Sequence, residues 1–291
     1  MMLALGGSAR GGDASTAPIR ALENSSIVAK SSDGELRVMK KDGTPINGLK
    51  LSHYDQLIDS PSIAVGPDGV IHVAFIERQV ASPYTLYVFH RQSSDGGQNW
   101  SEAKNLSEDM PNMAVGHCRL LVDGQGRVYV VWRTGLAEGW PPSEGMAVNL
   151  VYRVLNNGKW SKIIPIHPPG SAAAQNISSI FSFAVMDPAG HAQVVWNACP
   201  DTFKPSETTV NGMHLAGIGN GLVFQATLDG SNPTPPAQIY MTPLTTDKTL
   251  GEYGKTCEDL SALDGYVDAA GAAHFIAIAR AVRGGGGRLS N

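Results

Sequence analysis

The sequence predicts an all-β protein, an antiparallel β-propeller of four-stranded blades, and three observations carry that prediction. A hairpin unit recurs around Gly69, Gly126, Gly190 and Gly271, each copy an apolar strand, a tight turn closed by the glycine, and a second apolar strand. Weaker outer strands follow several of these copies. The composition agrees, because 33 glycines and 18 prolines beside only 16% charged residues suit many short turns between buried strands.

Taken in order, residues 1–17 (MMLALGGSARGGDASTA) are small and polar enough to read as a flexible leader, and their apolar part, 1–5, is too short for a secretory signal. Residues 35–40, the turn Lys41-Asp42-Gly43 and residues 49–53 read as an outer strand pair. The stretch 60–107 organises the rest, with strands expected at 62–65, 70–76, 84–90 and 101–106. Gly66-Pro67-Asp68-Gly69 joins the first two; Pro in second place and Gly in fourth favour a type I turn. Strand 70–76 is apolar on both faces, as for burial between two layers.

The hairpin returns at 120–132, 184–196 and 265–277, with Asp123, Asp187 and Asp268 in the first turn position. The stride between copies exceeds the roughly 40–50 residues of a propeller blade, so these are blades with insertions. Shortened outer halves follow at 150–161 and 221–230. Trp132 and Trp196 hold equivalent places and are expected in the core between blades. His72 and His274, also equivalent, are expected as packed strand residues. Residues 18–281 thus form one propeller domain, and 282–291 a Gly-rich tail.

Between the third and fourth strands of the organising stretch lies Ser93-Ser94-Asp95-Gly96-Gly97-Gln98-Asn99-Trp100. This octet resembles the Asp-box, S-x-D-x-G-x-[TN]-W, of the bacterial neuraminidase repeat in sialidase-type β-propellers. Asp95 can bond N–H groups of its own turn, the glycines permit positive φ, and Trp100 can plug the turn onto the sheet. Ser93, Asp95, Gly97 and Trp100 are therefore expected to form a structural clasp. Four blades are evident. Either the N-terminal strands complete the last blade of a closed ring, or the chain is a piece of a longer, six-bladed ring of the kind the resemblance implies.

A net charge of −4 offers no basic face for nucleic acid, and no segment approaches the ~20 apolar residues of a membrane span. Cys118, Cys199 and Cys257 share no metal-ligand spacing, so neither metal nor cofactor is expected. Buried thiols and one disulfide among the three both remain open. The resemblance implies a secreted or periplasmic protein, although no signal peptide is evident.

In a four-stranded blade, the turns between strands one and two and between three and four share one face of the ring. The longer segments at 77–83, 133–147 and 197–220, and those between blades, fall on the other, where function is expected. Ligand-binding candidates there are Glu77, Arg78, Arg133 and Asn197 at second-strand ends, with Arg119, Trp140, Tyr253, Glu258 and Arg280 on or beside loops. The resemblance also implies an arginine triad, a Tyr–Glu pair and an Asp acid, but the pattern is missing. Asp59-Ser60-Pro61 stands where the first arginine motif belongs, and no Asp lies between Arg78 and Asp95. The expected function is glycan or protein binding through the looped axial face. The alternative is a glycan-active enzyme, an exo-glycosidase of sialidase type or a polysaccharide lyase.

Overall fold

A computed structural model describes residues 27–32, 35–40, 44, 56–79, 85–109, 115–135, 148–166, 182–198, 209–210, 213–214, 222–241, 245–246 and 255–282. Among these there is no helix; the protein is all-β and its strands pair antiparallel. β1 (Ile27–Ser32) and β2 (Glu35–Lys40) form a hairpin. A four-stranded meander follows, β3 (Gln56–Val65), β4 (Ile71–Gln79), β5 (Thr85–Ser93) and β6 (Lys104–Asn105). The next sheet runs β7 (Val115–Val122), β8 (Val128–Gly135), β9 (Val148–Asn156) and β10 (Lys159–Trp160), with β11 (Ile164–Pro165) also on β9. The third joins β12 (Ser182–Met186) and β13 (Ala192–Ala198) to β16 (Leu222–Leu228) and β17 (Ala237–Met241), with a small hairpin of β14 (Thr209–Val210) and β15 (Met213–His214) between. β18 (Thr245–Thr246), β19 (Lys255–Val267) and β20 (Ala273–Val282) form the last.

The repeated turns explain why four glycines recur. Gly69, Gly126, Gly190 and Gly271 all have φ between +77° and +86°, and each donates its N–H to the carbonyl three residues back at 2.9–3.0 Å. This is a type I turn followed by a left-handed residue, and only glycine enters that region without steric cost. The shortened outer turn uses Asn157 (φ 48°) and Gly158 (φ 74°), both left-handed, as a two-residue hairpin loop demands.

The sheets pack face to face in chain order. Their leading strands meet one another: β1 meets β3, β3 meets β7, β7 meets β12, and β12 meets β19. Strand alternation feeds each interface. Val128, Val130 and Trp132 face back to Ala74, Ile76 and Val88, while Tyr129 and Val131 face forward to Val194, Trp196 and Phe224. Trp132 and Trp196 are both fully buried between sheets, as their sequence positions predict. Each ring withdraws 150–250 Å² from water, up to about 4–6 kcal/mol by area.

The structure changes several expectations. The strand expected at 101–106 reduces to Lys104–Asn105. Glu35–Lys40 pairs with the preceding Ile27–Ser32, and residues 49–53 lie outside the described residues. β1 meets β3 as leading strands do elsewhere, so the first unit is an inner hairpin, not an outer pair. The Asp-Gly dipeptide at 33–34 in the sequence, between the two paired strands, is the signal for it. Cys118 and Arg119 lie in β7 and Cys257 and Glu258 in β19, in strands and not in connecting loops, because both strands begin earlier than their apolar runs. β20 runs to Val282. The leader 1–17, Cys199 and residues 283–291 lie outside the described residues.

Candidate functional site

Register fixes the two ends of each sheet. Ile71 pairs with both Val65 and Ser93, so the turn 66–69 and the octet 93–100 share one end. Gln79 pairs with Thr85 at the other. The second sheet repeats this, with Val128 opposite Val122 and Leu155, and Gly135 opposite Val148. The third does too, with Ala192 opposite Met186 and Leu228. Bonds between sheets gather the turn ends together: Arg127 Nη1 reaches Asp229 Oδ1 at 3.4 Å, the Tyr152 hydroxyl donates to the Asp229 carbonyl at 2.8 Å, and Gln225 Nε2 donates to the Gly271 carbonyl at 3.1 Å.

The turn end is thoroughly hydrogen-bonded. In the octet, the Gly97 N–H, which is buried, donates to Ser93 Oγ at 2.8 Å, and Ser93 Oγ donates to Asp95 Oδ1 at 2.8 Å. Asp95 also accepts from the Asn99 backbone and side chain at 2.9 and 2.7 Å. Those bonds, led by the Asn99 N–H, hold its carboxyl down to about 2. Trp100 packs with Ile63, Val73, Phe75 and Phe89, and its Nε1 donates to the Gly97 carbonyl at 3.0 Å.

Each Asp-led turn makes a second, longer bond. Asp123, Asp187 and Asp268 accept the N–H four residues on, from Arg127, His191 and Ala272, at 2.8–3.0 Å. Each also meets the side chain six residues on: Tyr129 at 3.3 Å, Gln193 at 3.0 Å and His274 at 2.8 Å. In the first copy Gly66 stands where the acid would be. His72, the residue six on, turns to His90 instead, Nδ1 to Nε2 at 3.1 Å. Both rings are buried, and Trp160 of the next sheet meets His90 edge-on at 4.9 Å. Burial pushes His72 down to about 4, against a smaller upward pull from Asp68, and burial together with His72 pushes His90 down to about 3. His72 is the packed histidine expected of it. His274 is not: its side chain is 49% exposed, because no further sheet among the described residues covers it.

The candidates at the opposite end divide. Glu77 and Asn197 are fully buried, and Arg119 and Arg133 are half-buried. Arg119 and Arg133 share one face of the second sheet. Arg119 pairs directly with Val131, and Arg133 stands two residues further along β8, so both lie on the face turned toward the third sheet. Arg119 Nη1 donates to the Cys118 carbonyl at 2.9 Å. Pleat places Glu77 on the face of Phe75 and Val73, turned the other way, and Asn197 on the face of Val195, turned toward the last sheet. Arg78 pairs with Gln56 and Leu86. Glu258 pairs with Ala281 and Arg280 with Asp259, one register step apart. Trp140 and Tyr253 lie outside the described residues. Thr134, next to Arg133 in β8, is fully buried on the opposite face of the sheet. Among the described residues no group of three or more His, Cys, Asp or Glu side chains gathers as a metal site would require, and no helix is long and apolar enough to cross a membrane.

No protein-family model matches this chain, and no curated protein does. Solved structures do. A protein of unknown function from Dyadobacter fermentans aligns at 12% identity and TM-score 0.41, over 82% of this chain and 60% of its own. An ulvan lyase, a polysaccharide lyase, aligns at 15% identity and TM-score 0.46, over 91% and 64%. A sialidase from Streptococcus pneumoniae aligns at 19% identity and TM-score 0.38, over 67% and 28%. The chain spans less than two thirds of the length of each.

Proposed function

We propose that this chain is a β-propeller of sialidase type, with 93–100 as an Asp-box, and that it binds glycans through the end of the sheets opposite its tight turns. The observation that carries this reading is the pair Arg119 and Arg133, half-buried on one face of β7 and β8 at that end. Two arginines on one face of the sheet would offer donors to a ligand rich in oxygen acceptors, a carboxylate or sulfate best, beside the bond that Arg119 already makes to the Cys118 carbonyl. β4, β8 and β13 end, at Gln79, Gly135 and Ala198, on the side opposite the tight turns, where the segments 77–83, 133–147 and 197–220 are expected to wall the site. The absent arginine motif at Asp59-Ser60-Pro61 argues for binding without sialidase chemistry.

The test is a glycan array probed with the full chain, including uronic-acid, sulfated, sialylated and neutral sugars. The reading expects retention of acidic glycans. Retention of none of them at micromolar protein, with the chain shown to be folded by circular dichroism, contradicts it.

A further inference from the structure

Three sheets carry different residues at one equivalent place on their leading strands. By register, the residue opposite the fifth position after the turn glycine is Ser62 in β3, Arg119 in β7 and Phe183 in β12. Their partners Ala74, Val131 and Val195 look toward the following sheet, and directly opposed residues share a face. Each of the three therefore stands in the seam that its sheet makes with the next. The first seam shows what the place does. Ser62 Oγ accepts the Leu120 N–H of β7 at 2.9 Å. That amide lies on the side of β7 away from β8, because β7 ends its sheet and hydrogen bonding alternates along an antiparallel pair. The third seam is filled by Phe183, 1% exposed and packed with Val195 and Val223.

In the second seam the same tie cannot form. The amide equivalent to that of Leu120 belongs to Ala184, opposite Val194, and β12 pairs only with β13 among the described residues. Arginine has N–H donors and no acceptor, so β7 and β12, which lie against one another, bring donors from both sides. Arg119 Nη1 donates to the Cys118 carbonyl at 2.9 Å, and among the described residues no carboxylate pairs with this arginine. Ser182, 5% exposed, stands two residues from Ala184 on the same face and adds a hydroxyl.

We propose that the seam between β7 and β12 is the subsite for a carboxylate of the bound sugar, one oxygen accepting from Arg119 and the other from the Ala184 N–H. A planar carboxylate supplies two acceptors at the place where Ser62 supplies one in the first seam. The ligand's acid group thus enters between two neighbouring sheets and replaces the missing tie. The subsite rests on the glycan reading and narrows its ligand to a uronic acid.

Titration of the full chain with methyl glucuronide and with its neutral match, methyl glucoside, followed by NMR of the backbone amides, tests it. The glucuronide is expected to bind about tenfold or more tightly than the glucoside and to shift the Ala184 amide downfield. The Leu120 amide, already bonded to Ser62, should stay in place. Arg119→Ser supplies here the acceptor that Ser62 supplies in the first seam, so it should abolish the preference without lowering the melting temperature. An Ala184 amide that the glucuronide leaves unmoved overturns the subsite, and this readout needs no variant. An Arg119→Ser variant that keeps the preference overturns it as well. In either case acidic glycans retained on the array leave the glycan reading standing, whereas an array that retains none overturns both.

Discussion

The Tyr129 hydroxyl reaches the Asp123 carboxylate at 3.3 Å, six residues back across the tight turn. Asp123 is 3% exposed and also accepts from the Gln125 and Arg127 backbones and from Arg127 Nε at 2.5 Å. Removing it leaves several donors at a nearly buried place without their acceptor. Asp123→Ala is expected to cost about 2–3 kcal/mol in urea unfolding, and Asp268→Ala, at an exposed turn of the same design, clearly less. Equal losses would mean that burial does not set the worth of these turns.

In the octet the buried N–H, that of Gly97, is satisfied by Ser93, while Asp95 serves exposed groups. Within the clasp the main structural weight thus falls on Ser93. Ser93→Ala should destabilise by about 1–2 kcal/mol, and Asp95→Ala by less than Ser93→Ala. Thermal melts of both variants check the order, and the reverse order contradicts it.

His72 and His90 give the protein a specific acid sensitivity. Their folded-state values, about 4 and about 3, lie below the ordinary 6.5, so the unfolded chain takes up protons first. Their stabilising contribution is complete above about pH 6.5 and is lost as pH falls toward 4. The paired carboxylates Asp95 and Asp268, whose values are lowered, lose theirs only further down, below about 3.8. Melting temperature should therefore begin to drop near pH 6.5, and a His72→Val/His90→Leu double variant should flatten the drop between pH 6.5 and 4. An unchanged slope in the double variant contradicts the assignment.

Trp132 is fully buried, and its indole N–H has no hydrogen-bond partner among the described residues. Trp132→Phe loses contact area but also removes an unsatisfied donor worth about 1–3 kcal/mol. It is expected to change stability by no more than about 1–2 kcal/mol, against about 3–5 for Trp132→Ala. A phenylalanine variant as damaged as the alanine variant would show that the donor is satisfied in solution.

The hairpins were legible because their signals are local. A glycine that must be left-handed, an acid at the first turn position and alternating apolar residues all sit within a dozen residues. The starts of the leading strands were not. β3, β7 and β19 each enter through a bulge, between Leu57 and Ser62, Gly116 and Arg119, and Leu260 and Leu263, and a bulge breaks the two-residue period on which strand reading depends. For that reason Arg119 and Glu258 read as residues on or beside loops. His274 was misjudged for another reason: its own strand matches that of His72, but burial comes from the following sheet, which no local pattern reports. That Arg119 and Arg133 share one face needs the register of β7 on β8, and sequence supplies the two residues without supplying that register.

The most direct test is calorimetric titration of the best acidic glycan from the array into the wild-type chain, Arg133→Ala and Asp95→Ala. The account predicts that Arg133→Ala weakens binding about tenfold or more, through loss of a charge-assisted hydrogen bond, while Asp95→Ala, at the opposite end of the sheets, binds as the wild type does. Unchanged binding by Arg133→Ala, or a loss confined to Asp95→Ala with its fold intact, would contradict it.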